Sequence, residues 1–289
     1  MPRLGLGIPL TRTGDRRYSH QVNAEADPKS LAELAAKTIL ERFGLPGVDV
    51  ALVLGSGWSG AASGLGEPIG ECELAELPGF AKPVVVGHGG ALKLIRTGTG
   101  RVAAMFTGRT HFYEGRGVAP VVHGIRTAAA AGAGTIVLTN GCGGLNPAWG
   151  PGTPVLISDH INLTGATPLE GATFIDLTDA YAPRLRELAR QVDPTLDEGV
   201  YVQFRGPQYE TPAEVRMARV LGGDLVGMST TLETIAAREA GLDVLGISLV
   251  TNAAAGISPT PLEHAEVIAA GEAAEPRLRG LLAGLLERL

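Results

Sequence analysis

Arg109 and His111 alternate in the run Gly108-Arg109-Thr110-His111-Phe112-Tyr113-Glu114-Gly115. In an extended segment alternate side chains point the same way. A guanidinium beside an imidazole, flanked by glycines, suits a doubly charged oxyanion. The plainer alternative is a surface arginine and a satisfied core histidine. Gly55-Ser56-Gly57 lets backbone N–H groups approach an anion, with the Ser56 hydroxyl as a further donor. The same residues also make an ordinary strand-to-helix turn. The segment is not a P-loop, because no Gly-Lys-Ser/Thr follows. His88, in Gly87-His88-Gly89-Gly90, is either a third anion donor or a loop histidine. Ser229 precedes Thr230-Thr231-Leu232-Glu233, which fits a capping box, and a helix start is also where a phosphate is held.

Other polar residues stand at similar places. Tyr209-Glu210 lies just before a second capping box, Thr211-Pro212-Ala213-Glu214, so the Glu210 carboxylate faces a ligand or solvates a loop. Asn252 follows an apolar run, where asparagine also caps turns. Cys142 sits in Asn140-Gly141-Cys142-Gly143-Gly144 without a histidine that the sequence can pair with it, so a small buried hydrophobe is the better reading. The six histidines form no H-x-H or H-E-x-x-H, and no metal is implied.

These residues need a scaffold. The chain has 289 residues, 45% hydrophobic and 19% charged, enough for a large core. Net charge is -6 and no basic block occurs, so nucleic acid is not an expected partner. No apolar run approaches a membrane span, and Thr11 to Asn23 is too polar for a signal-peptide core. A cytoplasmic globular protein is expected. Residues 1–26 show no sustained period and read as an arm, with one domain over residues 27–289.

Helix is predicted from Asp27-Pro28 to Gly44, over Ala119 to Ala131, over Pro183 to Gln191, from Thr211, over Ser229 to Ala240, and from Pro261 with interruptions at Gly271 and Pro276. Strands are predicted over Asp49 to Leu54, Val84 to Val86, Leu92 to Thr97, Val102 to Phe106, Thr135 to Thr139, Pro154 to Ser158, Val200 to Phe204, Asp224 to Val226 and Val244 to Thr251. Alternating strands and helices imply α/β, and a hairpin at Gly98-Thr99-Gly100 makes the sheet mixed. Ligands of such sheets bind at the carboxyl ends of the strands, where the glycine-rich segments fall.

Taken together, the segments resemble the purine nucleoside phosphorylases of the homotrimeric class. The matching stretches are Leu54 to Gly57, Gly108 to Gly115, Thr139 to Asn146, Ser158 to Leu163, Gly206 to Thr211, Val226 to Thr230 and Val250 to Asn252, all in the family's order. The resemblance implies a single α/β domain with a mixed, twisted and partly barrel-like sheet. It implies phosphate held by Ser56, His88, Arg109, His111, the Gly141 backbone and Ser229. The purine falls to Tyr209, Glu210, Val226 and Asn252, and the ribose to Tyr113, Met228 and His264. Glu114 organises the phosphate side, and His111, Glu114 and Asn252 are the catalytic set.

The implied reaction is phosphorolysis of purine nucleosides (inosine, guanosine and their deoxy forms) in purine salvage. Phosphate is a co-substrate, and no cofactor takes part. In this family an aromatic residue from a neighbouring subunit often covers the ribose, from the loop after Asp-His-Ile-Asn-Leu; here Thr164 to Pro168 contains none. Alanine often stands where this chain has Gly141. The rivals are methylthioadenosine phosphorylase, whose branch has Ser and Asp in place of Glu210 and Asn252, a non-catalytic nucleoside-binding protein, and a nucleoside hydrolase, whose acidic calcium cluster is missing.

Overall fold

The structure, a computed structural model, describes residues 27–80, 90–258 and 264–289, with only the backbone of His264. The expected arm over residues 1–26, the strand at Val84–Val86, His88, the Pro261 helix start and the His264 side chain lie outside the described residues.

Helix α1 (Pro28–Phe43) starts and stops where capping chemistry dictates. The Asp27 carboxylate accepts the Ser30 N–H at 3.0 Å, and Gly44 ends the helix in the left-handed conformation. Among the described residues the nine strands are β1 (Val50–Leu54), β2 (Glu67–Glu73), β3 (Ala91–Arg96), β4 (Val102–Thr107), β5 (Thr135–Gly144), β6 (Pro154–Asn162), β7 (Asp197–Gln203), β8 (Leu225–Gly227) and β9 (Asp243–Ala253). The remaining helices are α2 (Ala119–Ala130), α3 (Pro183–Val192), α4 (Pro212–Val220), α5 (Thr231–Glu239) and α6 (His264–Leu286).

The strands form one mixed sheet in the order β2-β3-β4-β1-β5-β8-β7-β6-β9. A further pairing of β5 with β9 closes the last five strands into a ring. The barrel-like part implied by the resemblance is this ring. Strand β1 runs parallel to both β4 and β5, and β5 parallel to β9, so their carboxyl ends share one edge.

The core lies on both faces. In β1, Ala51 and Val53 point into one cluster with α1 and α2, while Val50, Leu52 and Leu54 point into another with α3 and α6. The unbroken apolar run of β1 reflects this double burial.

Several boundaries differ from expectation. Strand β2 is an added edge strand. Its residues are mostly exposed or half-buried, three of the seven are glutamates, and only Cys72 is buried, so it carries no apolar alternation. Strands β5 and β6 run on to Gly144 and Asn162, because pairing with β9, β8 and β7 supplies what the local sequence lacks. Helix α5 begins at Thr231, with Thr230 as its cap.

Helix α6 is continuous through both Gly271 and Pro276. Buried Leu278, Leu281, Leu282 and Leu285 hold it to the core across the proline. Gly271 is there for proximity. A Cβ on it would lie 2.5 Å from the Gly57 Cα, so only glycine lets α6 touch the turn after β1. No helix among the described residues is long and apolar enough to cross a membrane.

Candidate active site

A cavity of about 340 Å³ opens at the shared carboxyl edge. Ser56 reaches it from the turn after β1, Arg109, His111 and Tyr113 from the loop after β4, and Gly141 from β5. Val226 belongs to β8, Met228 and Ser229 follow it, and Asn252 lies near the end of β9. Tyr209 and Glu210 come from the segment before α4. The segments Gly55 to Gly57, Gly108 to His111, Asn140 to Gly144, Gly227 to Thr230 and Thr251 to Asn252 thus meet at one site.

The last residues of β5 run between two chemically distinct ends. At one, the Thr139 carbonyl accepts from Arg109 Nη1 at 2.8 Å, and Ser229 Oγ accepts from the same nitrogen at 3.1 Å. Arg109 Nε donates to Glu233 Oε1 at 3.0 Å. The Arg109 side chain is 4% exposed, and its Nη2 has no hydrogen-bond partner among the described residues. Gly55 makes this packing possible, because a Cβ there would sit 2.5 Å from the Thr139 carbonyl oxygen and 2.9 Å from Arg109 Nη1. At the other end, Gly143 of β5 is in register with Val226 on one side and Asn252 on the other. A register shift at Cys142/Gly143 separates the two ends.

Ser229 is aimed by a strained residue. Thr230 has φ 78°, the only non-glycine residue with positive φ among those described. Such a conformation costs on the order of 1–3 kcal/mol and persists only when its surroundings determine it. Here the Thr230 N–H donates to Glu233 Oε2 at 2.9 Å, its Oγ1 accepts from Asn140 Nδ2 at 2.9 Å, and its carbonyl accepts from Thr234 Oγ1 at 2.9 Å. The capping box expected at Thr230–Glu233 is present in full.

Glu114 is placed differently from the other expected site residues, because it is not part of the cavity wall. Its Oε1 accepts the His111 backbone N–H at 2.7 Å and closes the single turn Phe112–Glu114. The His111 ring stacks on Tyr113 with centroids 4.8 Å apart. Cys142 does line the cavity, but burial pushes its thiol up to about 12, which removes the thiolate a nucleophile needs. Among the described residues no group of three or more His, Cys, Asp or Glu side chains is arranged for a metal.

Some residues of interest were not singled out in the sequence. Asn140, Thr251 and Val267 also line the cavity. Glu233 was read only as half of a capping box. Phe174 is 93% exposed, in the connection between β6 and α3. A lone aromatic in a polar stretch, Gly171-Ala172-Thr173-Phe174, was the signal available for it.

Comparison with known proteins agrees with this geometry. Residues 49–287 match the model of the phosphorylase superfamily. A purine nucleoside phosphorylase of Cellulomonas is 64% identical, covering 91% of this chain and 94% of that one. One from Mycobacterium tuberculosis is 57% identical, over 91% and 97% of the two chains. The crystal structure of a Schistosoma purine nucleoside phosphorylase in complex with hypoxanthine superposes with a TM-score of 0.81 at 32% identity, covering 89% of this chain and 96% of that one. The chain belongs to the phosphorylase superfamily and, within it, to the purine nucleoside phosphorylases, a family of enzymes.

Glu210 offers a pH-dependent readout of the site. Burial raises its carboxyl above the ordinary value near 4.5; a bond to its own backbone opposes this, and the Glu214 charge adds to it. A folded pKa above the unfolded one means that stability is lost as pH rises through the folded value, and is regained below the unfolded value. Glu210→Gln should therefore melt above the wild type at pH 8 in the absence of ligand, with a gap that closes toward pH 4.5. A difference of about 1 kcal/mol moves the midpoint by roughly 2–4 °C. Thermal melts across this range check it, and a gap that does not change with pH contradicts it.

Proposed function

We propose that the cavity binds inorganic phosphate at its Arg109 end and a 6-oxopurine nucleoside at its Glu210–Asn252 end, and catalyses phosphorolysis in purine salvage. One observation carries this reading. Arg109 Nη2 and Glu210 Oε1 are both buried and without a partner among the described residues, and both belong to the lining of the same cavity. A buried unpartnered donor and a buried unpartnered acceptor each cost free energy that a matching ligand recovers.

In the proposed reaction a phosphate oxygen forms a bond to the anomeric carbon as the N-glycosidic bond breaks. The products are the free base and α-ribose 1-phosphate. Positive charge grows on the ribose and negative charge on the leaving purine. The phosphate dianion, held by Arg109, Ser229, His111, Ser56, His88 and the Gly141 N–H, stabilises the first. Asn252, donating to N7, stabilises the second. Both contacts strengthen as charge develops, which lowers the barrier. Glu114 fixes the turn that presents His111. Tyr209 and Val226 border the purine, while Tyr113, Met228 and His264 serve the ribose. No step draws on a cofactor or metal.

Base release from inosine should require phosphate. Arg109→Ala should raise the phosphate KM by roughly 100-fold or more and the inosine KM far less, since a charge-assisted contact is lost at one end only. An unchanged phosphate dependence contradicts the assignment.

The purine end should discriminate by protons. Inosine carries a proton on N1, which Glu210 accepts; adenosine presents a lone pair there. A site built for a donor rejects a ligand that lacks it by up to about 10⁴–10⁵. Inosine should exceed adenosine in kcat/KM by a large factor, and Asn252→Asp should narrow the ratio, because a carboxylate accepts from a 6-amino group. Equal efficiency on the two nucleosides in the wild type favours the methylthioadenosine reading instead.

The enzyme is also proposed to work as a homotrimer, with Phe174 covering a neighbour's ribose in the absence of an aromatic at Thr164 to Pro168. Light scattering should give three times the 29.8 kDa of one chain; the mass of a single chain refutes it.

A further inference from the structure

We propose that Glu233 is a positioning residue for the phosphate end. Its carboxylate locks the Arg109 guanidinium and the Thr230 turn into one relation, so that Arg109 Nη2 and the Ser229 hydroxyl meet the anion together. The inference rests on the phosphate reading given above.

A glutamate at this place in a capping box needs one bond, to the N–H of the cap. Glu233 makes that bond through Oε2 to Thr230 at 2.9 Å. Its Oε1 makes another that capping does not require, to Arg109 Nε at 3.0 Å, 124 residues away. The residue is 1% exposed, and Arg109 forms no other ion pair with a carboxylate among the described residues. With Nε held by Glu233 and Nη1 by Thr139 and Ser229, rotation of the guanidinium is fixed and Nη2 is the nitrogen left over. The same carboxylate fixes Thr230, whose unusual backbone places Ser229 beside Arg109. Cation and hydroxyl are therefore set by one side chain that never reaches the cavity wall.

Glutamine separates this role from capping. It serves as a cap residue at this position. It has only one acceptor oxygen, however, so its amide N–H₂ must face either Thr230 N–H or Arg109 Nε–H, donor against donor. Aspartate keeps two acceptor oxygens on a shorter arm.

The test measures phosphate and inosine KM by base release for the wild type, Glu233→Gln, Glu233→Asp, Arg109→Ala and the Arg109→Ala/Glu233→Gln pair, with thermal melts alongside. Glu233→Gln should raise the phosphate KM about 10- to 100-fold, since small misplacements of a positioned group have effects of that size. The inosine KM should change by less than about threefold, and Glu233→Asp should recover part of the loss. In the Arg109→Ala background, Glu233→Gln should raise the phosphate KM far less than it does with Arg109 present, because only the Ser229 contact is then left to misplace. Equal rises in both KM values, or additive losses in the double variant, overturn the proposal. If Glu233→Gln does not fold, the same cycle is run with Glu233→Asp and read by the same criteria. An Arg109→Ala variant with an unchanged phosphate KM overturns the phosphate reading and this proposal with it. A normal Arg109 effect that is uncoupled from Glu233 overturns this proposal alone.

Discussion

A guanidinium and a carboxylate taken out of water together constrain this structure more than any other contact. Removing the Arg109 and Glu233 side chains from solvent costs several kcal/mol per ion, and mutual attraction offsets that only when the remaining donors and lone pairs are also met. The partners that meet them come from separate parts of the chain: the Thr139 carbonyl on β5, Ser229 after β8, and the cap of α5. Each must arrive before the pair is tolerable. The close approach also leaves no room for a side chain on Gly55. The strand order around β5 is thus a condition for the site as much as a scaffold beneath it.

The closed part of the sheet answers a second requirement. A flat sheet offers its edge as a line, whereas the ring of β5, β8, β7, β6 and β9, in which β8, β7 and β6 run opposite to β5 and β9, curls an edge around a volume. Strand β5 is paired to β1, β8 and β9, and its final five residues, Asn140 to Gly144, carry three glycines. Small residues there keep the floor low. Gly141 lies within 3.2 Å of the Ser56 carbonyl measured from where a Cβ would be, and Gly143 within 3.0 Å of Val226 by the same measure. The floor that results is backbone, which has no rotamer to change.

Much of this was legible beforehand, for a physical reason. Polar residues that line a cavity are constrained one by one, so Arg109, His111, Glu210, Ser229 and Asn252 stand out as types in their own local company. Helix starts at Asp27 and Thr211 were legible because capping is local chemistry. What escaped depends on partners distant in sequence. Asn140 to Gly144 has little intrinsic strand preference and is extended only because β8 and β9 flank it. Pro276 reads as a breaker until the leucines beyond it are known to be buried. Glu233 announced one of its two bonds, the one three residues away, and concealed the one 124 residues away.

The two ends of the cavity solve opposite electrostatic problems. At the Arg109 end a fixed cation already has its carboxylate, and one donor remains to be used. At the Glu210 end a carboxyl is buried with no cation among the described residues to hold its charge, and burial shifts it toward the neutral form. In the proposed reading, an N1–H donor from a 6-oxopurine would supply the missing stabilisation of the ionised form. Ligand choice and ionisation state are then one equilibrium: a base that brings a proton to the site favours the carboxylate that accepts it. A base that brings a lone pair must either carry the cost of an unpaired carboxylate or wait for a protonated one. Discrimination of this kind needs no clash and no moving part. It follows from withholding a counter-charge at one end of a cavity whose other end has been given one.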